Sequence, residues 1–226
     1  MEVILFGGFR AHVGEEVWAR LLASGTATRF YWGDVLLSQG EQGTHVLLLT
    51  EGSVKVMQVE PSGRELLLAV RSAGEILGEF AVLEQKARRA SAIAIDHGMA
   101  FALPAPQFTR LMSELDLSRA LCLNTLDRYR ENERFLADLA DYGPGERVAR
   151  CIARLSAVSG PLLPLTHEDL AKATCLSRST VSLGLSALKK DGLLATEYGC
   201  IRVLKPGRLL SWRASRTRLS GDGHSS

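Results

Sequence analysis

Nowhere in these 226 residues is there an apolar run approaching the roughly 20 residues that a bilayer-spanning helix requires. The longest uninterrupted stretches, such as Val46 to Leu49 and Leu66 to Val70, stop after a few residues. Cysteine is scarce: Cys122, Cys151, Cys175 and Cys200 lie more than twenty residues apart, with no C-x-x-C pair and no clustering with histidine. That spacing excludes a disulfide framework and the usual zinc sites, and buried thiols are expected. Only 7 prolines occur, too few for a collagenous or low-complexity chain. The N-terminus, MEVILFGGFRAHVGEE, lacks both a basic segment ahead of its short apolar stretch and a small-residue cleavage site, so no secretory signal is read there and a cytoplasmic location is expected. His12, His45, His97, His167 and His224 are scattered. No nucleophile–base pairing, metal-ligand spacing or Walker-type loop accompanies them, so neither an enzyme nor a metal site is expected.

What is present is ordinary globular material, 46% hydrophobic and 23% charged, with an uneven distribution of charge. Residues 1–143 carry 14 Lys and Arg against 19 Asp and Glu, a net of −5, whereas residues 144–226 carry 13 against 6, a net of +7. An acidic body followed by a basic third suggests a sensing or assembly domain joined to a polyanion-binding one.

From Ala27 to about Leu103, short β-like runs are punctuated by Gly33, Gly40, Gly43, Gly52, Gly63, Gly74, Gly78 and Gly98. Turn signals at this interval predict a sandwich or barrel. Glu60 to Glu65 reads as a hairpin connection, and alternation in Ser53 to Val59 sets Val54, Val56 and Gln58 opposite Lys55, Met57 and Val59. Between Phe108 and Asp141 there is no Gly or Pro, which predicts one long helix. Its stripe of Leu117, Leu121, Asn124, Arg128, Asn132, Phe135 and Leu139 suggests a dimer seam whose polar centre serves a ligand or fixes register, or else is a solvated face. Tyr142-Gly143-Pro144-Gly145 breaks the helix and supplies a linker.

Beyond it, Thr166 caps a short helix with Asp169 three residues on, Thr174-Cys175-Leu176 makes a turn, and Ser177 caps a second helix from Arg178 to Lys190. Val181, Leu185 and Leu188 form the buried face of that helix, leaving Arg178, Ser179, Ser182, Ser186 and Lys189 on the other side. With Leu193 to Thr196 and Cys200 to Val203 as a hairpin, this is a winged helix-turn-helix. Arg178 suits a guanine edge, while Ser179, Thr180 and Ser182 reach phosphate or bases and Lys189 attracts the backbone.

The segment Gly74-Glu75-Ile76-Leu77-Gly78-Glu79-Phe80-Ala81-Val82-Leu83, followed by Arg88-Arg89-Ala90-Ser91-Ala92, resembles the phosphate-binding cassette of cyclic-nucleotide-binding domains. A glycine at 78 lets backbone N–H groups approach a phosphate, the helix behind it offers a positive dipole, and an arginine neutralises the charge. The same residues can instead brace a β-roll. From about Glu15 to Leu210 the chain resembles the cyclic AMP receptor protein and fumarate-nitrate regulator superfamily of bacterial transcription factors.

The resemblance implies an α+β protein. Residues 1–104 would form an N-terminal, jelly-roll-like cyclic-nucleotide-binding β-roll and 105–142 a long dimerisation helix. Residues 143–212 would be a C-terminal winged helix-turn-helix, with a disordered tail at 213–226. It implies a homodimer that binds double-stranded operator DNA and RNA polymerase, with no membrane partner, no required cofactor and cyclic AMP or a related cyclic nucleotide as effector. Glu79 would accept the ribose 2′-hydroxyl and Arg89 would hold the cyclic phosphate, with Gly78, Phe80, Ala81, Arg88 and Ala90 beside them and Arg128 and Asn132 toward the base. Ala90 stands where the bacterial receptor has serine. The DNA-binding set would be Thr166, Ser177, Arg178, Ser179, Thr180, Ser182, Leu183 and Lys189. The family's Arg-Glu-Thr-Val-x-Arg here reads Arg178-Ser179-Thr180-Val181-Ser182-Leu183, so a different operator is expected. Other readings are a ligand-independent or other-effector regulator, including a haem sensor ligated by His45 or His97, and a nucleotide-gated protein-interaction module; the winged helix argues against the last.

Overall fold

The computed structural model describes residues 8–197 and 199–213. The tail expected to be disordered, apart from Arg213, and Tyr198 in the wing lie outside the described residues. Two short helices open the chain, α1 (Gly8–Val13) and α2 (Glu15–Ala23), and bury Phe9, Trp18 and Leu21. There follow β1 (Thr26–Phe30), β2 (Val35–Leu37), β3 (His45–Glu51), β4 (Ser53–Val59), β5 (Glu65–Ser72), β6 (Ile76–Leu77), helix α3 (Glu79–Glu84), β7 (Ser91–Ala94) and β8 (Gly98–Pro104). They pair antiparallel in two four-stranded sheets, ordered β1-β8-β3-β6 and β2-β7-β4-β5. Phe30, Leu37, Leu47, Leu49, Val54 and Leu77 fill the space between the layers. The expected β-roll is present, and its turn between β4 and β5 falls at Glu60 to Arg64, closed by the Glu60 amide on the Arg64 carbonyl at 2.8 Å.

The simple alternation predicted for Ser53 to Val59 breaks halfway. Val56 pairs with Ala69 but Met57 pairs with Leu67, so Leu68 is an extra residue on β5. A bulge of this kind re-aims the side chains beyond it. Met57 and Leu67 thereby turn outward into a different core, which they share with the C-terminal domain.

The single helix expected from Phe108 to Asp141 is two helices, α4 (Ala105–Glu114) and α5 (Ser118–Asp141). Asp116 between them sits at φ 48°, a left-handed conformation that ends an α-helix. Nor is the predicted seam the free face of α5. Leu117 and Asn124 are buried, and Leu117 joins the core with Phe9, Phe108 and Leu111. The first part of the stripe faces the chain's own β-roll, where it covers apolar residues of α1 and α4, while Asn132 farther along is exposed. Turned outward instead are Cys122, Leu126, Tyr129, Glu133, Leu136 and Ala140.

The C-terminal part contains α6 (Pro144–Ser159), β9 (Leu162–Leu163), α7 (His167–Thr174), α8 (Arg178–Lys190), β10 (Leu194–Glu197), β11 (Cys200–Val203) and α9 (Pro206–Leu209). Strand β9, which has no signal of its own in the sequence, adds to the wing as the third strand of the order β10-β11-β9. At the break before α6, Asp138 accepts from Arg150 (2.5 Å) and Arg154, and the Arg150 guanidinium lies 4.1 Å from the Tyr142 ring centroid. The linker is therefore braced. The domain docks on the β-roll through Met57, Leu67, Val70 and Ile95. Around that apolar contact Lys55 pairs with Asp169 (2.6 Å) and Lys172 with Glu65 (2.5 Å).

Of the cysteines only Cys151 is buried, which pushes its thiol up to about 12. Cys122 and Cys175 are exposed and Cys200 is half-buried, so the expectation of four buried thiols is corrected. Among the described residues no helix is long and apolar enough to cross a membrane, and none of them form a group of three or more His, Cys, Asp or Glu able to hold a metal ion.

Candidate functional site

Two sites emerge, one at the β6–α3 turn and one along α8. At the first, Gly78 has φ 83°, a conformation that glycine adopts without strain. A Cβ there would also collide with Nη1 of Arg88, so the turn and the arginine are matched to each other. Arg88 is buried, and its Nη2 donates to the His45 carbonyl oxygen at 2.8 Å. Its Nη1 has no hydrogen-bond partner. A buried guanidinium nitrogen left unpaired is costly, and its ordinary complement is an anionic oxygen. Burial pulls the Arg88 pKa down, with Glu41 and Glu79 opposing, and burial and the Arg88 charge together hold His45 below its ordinary value.

Arg89, the residue that the resemblance assigned to the phosphate, points outward. Its side chain is 73% exposed and pairs with Glu84 at 2.8 Å on the outside of α3. The inward arginine is its neighbour. Phe80 is also exposed, Ala81 is buried and Ala90 half-buried.

Glu79 is buried and already engaged. Arg128 of α5 donates to it through Nη1, while its Nη2 reaches Glu75 Oε2 (3.0 Å) and the Ile76 carbonyl (2.7 Å). Burial alone would lower the Arg128 pKa, but the Glu79 and Glu75 charges outweigh it and leave it raised. The arginine is charged, its Nε is unpaired, and Asn124 one turn earlier holds an unpaired buried Nδ2. Asn132 does not join them. It is exposed, at a cavity of about 210 Å³ between β5, α5, α6 and α7. The signal for the Asn124 position was available in the sequence, since it falls on the Arg128 stripe at helical spacing.

In the second site the capping residues stand as read. Thr166 Oγ1 accepts from the Asp169 amide (3.1 Å), the Asp169 carboxylate accepts from the Thr166 amide (3.0 Å), and Ser177 Oγ accepts from the Thr180 amide (3.2 Å). Cys175, at φ 53°, makes the turn. Val181, Leu185 and Leu188 are buried, while Arg178, Ser179, Leu183, Ser186 and Lys189 are exposed. Ser182 is partly covered and lies 3.0 Å from His167 Nδ1. Thr180 Oγ1 lies 2.8 Å from Ser177 Oγ, and Lys189 Nζ donates to Thr196 of the wing at 3.0 Å. Small hydroxyls with cations at both ends of one helix face suit a major groove.

Comparison with known proteins agrees with both domains. Residues 27–114 match the family model of the cyclic nucleotide-binding domain, and residues 146–212 that of the Crp-like helix-turn-helix domain. The cyclic AMP receptor protein of Thermus thermophilus is 31% identical over 173 residues, covering 76% of this chain and 80% of its own. Among solved structures, the Thermus thermophilus catabolite activator protein has TM-score 0.51 at 26% identity, covering 90% of this chain and 98% of its own. FixK2 of Bradyrhizobium japonicum shares the fold, with TM-score 0.70 at 21% identity over 84% of this chain and 98% of its own. A cyclic-nucleotide-binding β-roll ahead of a Crp-like helix-turn-helix places this chain in the Crp/Fnr family of DNA-binding transcriptional regulators.

Proposed function

We propose that this regulator works as a homodimer whose β-roll takes cyclic AMP or a related cyclic nucleotide, and whose paired α8 helices bind operator DNA. The observation that carries the effector half is the unpaired Nη1 of buried Arg88 beside the Gly78 turn. A cyclic phosphate supplies the missing acceptor. In this assignment Arg88 holds the phosphate, and Glu79 takes the ribose hydroxyl once Arg128 yields it. The name of the Thermus relative supports the same choice of ligand.

The dimer rests on the outer face of α5. Cys122, Leu126, Tyr129, Glu133, Leu136 and Ala140 recur at spacings of four and three, the pattern of a two-stranded seam. Leu126, Tyr129 and Leu136 are 43%, 59% and 62% exposed in the single chain. A second copy would cover them. RNA polymerase is the further partner this reading implies.

Calorimetry of the purified protein against cyclic AMP and cyclic GMP tests the effector. Wild type and Arg89→Ala should give heat of binding, whereas Arg88→Ala should give none in an ordinary titration, because removing the cation leaves a phosphate desolvated and unpaired. Loss of binding in Arg89→Ala with retention in Arg88→Ala would return the role to Arg89. No heat with the wild type would favour the second reading, a regulator of this fold that needs no cyclic nucleotide. Arg128 supports that alternative, since it already satisfies Glu79.

A further inference from the structure

Leu183 is the most exposed large apolar side chain among the described residues, at 74%, and it stands in the middle of the face that meets DNA. Its neighbours on that face are Ser179 and Ser186, one helical turn before and after, and both are exposed. Ser186 folds its hydroxyl back onto the Ser182 carbonyl (2.8 Å), and Ser179 lies 2.9 Å from Ser177 Oγ. The leucine thus projects from a bed of small side chains whose hydroxyls are occupied. The core does not need it: Val181, Leu185 and Leu188 already fill the buried face of α8.

In the major groove the base edges offer hydrogen-bond donors and acceptors, together with one apolar group, the C5-methyl of thymine. An isobutyl group cannot answer an amide or carbonyl edge. It can bury a methyl. We propose that Leu183 is a specificity-determining residue that selects a T·A pair by packing on the thymine methyl. Leu183 lies five residues beyond Arg178, which at about 1.5 Å per residue is about 7.5 Å, or about two base-pair steps of roughly 3.4 Å. The selected thymine therefore lies about two pairs from the base read by Arg178. The inference rests on DNA binding by α8 and adds to it the chemistry read at one position.

Operators selected from a random pool by the wild type, then resynthesised with deoxyuridine at each thymine in turn, provide the test. Deoxyuridine removes only the methyl. One position per half-site should lose affinity about fourfold, or about fifteenfold when both half-sites are changed, the factor expected for one buried methyl. The other thymines should be indifferent. Leu183→Ala should bind the thymine and deoxyuridine operators equally, and its exposed position leaves folding, checked by thermal melting, unaffected. Leu183→Arg should move the selected base toward guanine at the same position. Failure of the wild type to bind any DNA would overturn the DNA-binding reading and this inference together. DNA binding with no deoxyuridine-sensitive position, or with the same sensitivity in Leu183→Ala, would overturn this inference alone.

Discussion

Arg178 and Lys189 bracket α8, and their surroundings assign them different work. Arg178 opens the helix with an exposed, unshared fork, whereas Lys189 lies near its end and is tethered to Thr196 of the wing. An arginine bidentate to a guanine specifies, and its replacement by alanine should cost about 1–3 kcal/mol and relax preference at one position per half-site. Site selection with Arg178→Ala reads this directly, and an unchanged consensus would mean that Arg178 touches no base. Lys189→Ala should weaken all sequences alike and flatten the salt dependence by about one unit per chain, measured by titration at several salt concentrations. At this scale the sequence told most about residues whose roles are local: the caps Thr166 and Ser177 follow from spacing alone. It could not separate Arg88 from Arg89. Arg88 is buried and Arg89 exposed, and which of the two turns inward follows from the Gly78 turn across the fold rather than from the residues next to them.

Helix α5 shows the same division at the level of an element. Its C-terminal end and its stripe were legible, because 3.6-residue periodicity is written in the chain and the break at Tyr142-Gly143-Pro144 closes it. Which of its two faces the rest of the chain covers was not, since burial of Leu117 and Asn124 depends on α1, α4 and the β-roll folding back over them. The break at Asp116 was hidden too, there being no Gly or Pro to mark it. Substituting glutamate at both Leu126 and Leu136 should yield well-folded monomers by light scattering, since both are exposed within one chain. A dimer persisting in that double variant would remove the outer face as the seam. The loss of DNA affinity should accompany the loss of the dimer, because two recognition helices must be held about 34 Å apart.

Across the whole molecule, the opposite charges of the two parts were visible in the composition, but the ion pairs that join them were not. One crosses the apparent trend, since Lys55 lies in the acidic part and Asp169 in the basic one, while the other follows it, pairing Glu65 of the acidic part with Lys172 of the basic one. Burial pushes the Asp169 carboxyl up, but hydrogen bonds from Lys55 and Thr166 outweigh it and hold the group below its ordinary value of 3.8. A carboxylate depressed in the folded state contributes its full stabilisation above that ordinary value and loses it as pH falls through the lowered one. Docking of α7 on the β4–β5 hairpin, which Lys55 of β4 anchors, should therefore be unchanged through the neutral range and should loosen below about pH 4. Hydrogen exchange of the β5 and α7 amides reads the change, with Lys55→Met expected to show it already at pH 7. Equal protection of these amides at pH 3 and pH 7 would mean that the apolar contact of Met57, Leu67, Val70 and Ile95 holds the domains without the pair.

Arg128 on the inner face of α5 and Tyr129 on its outer face are consecutive residues, separated by about 100° of helix rotation. A helix is too stiff to turn one without the other. If an effector draws Glu79 away from Arg128, the α5 of that chain must resettle, and a symmetric seam cannot accept a rotation on one side only. The two effector sites of a dimer are then coupled in series through a single pair of side-chain rows, and occupancy of the first alters the affinity of the second. Titration curves should depart from independent binding, and the departure should vanish in the Leu126→Glu, Leu136→Glu monomer.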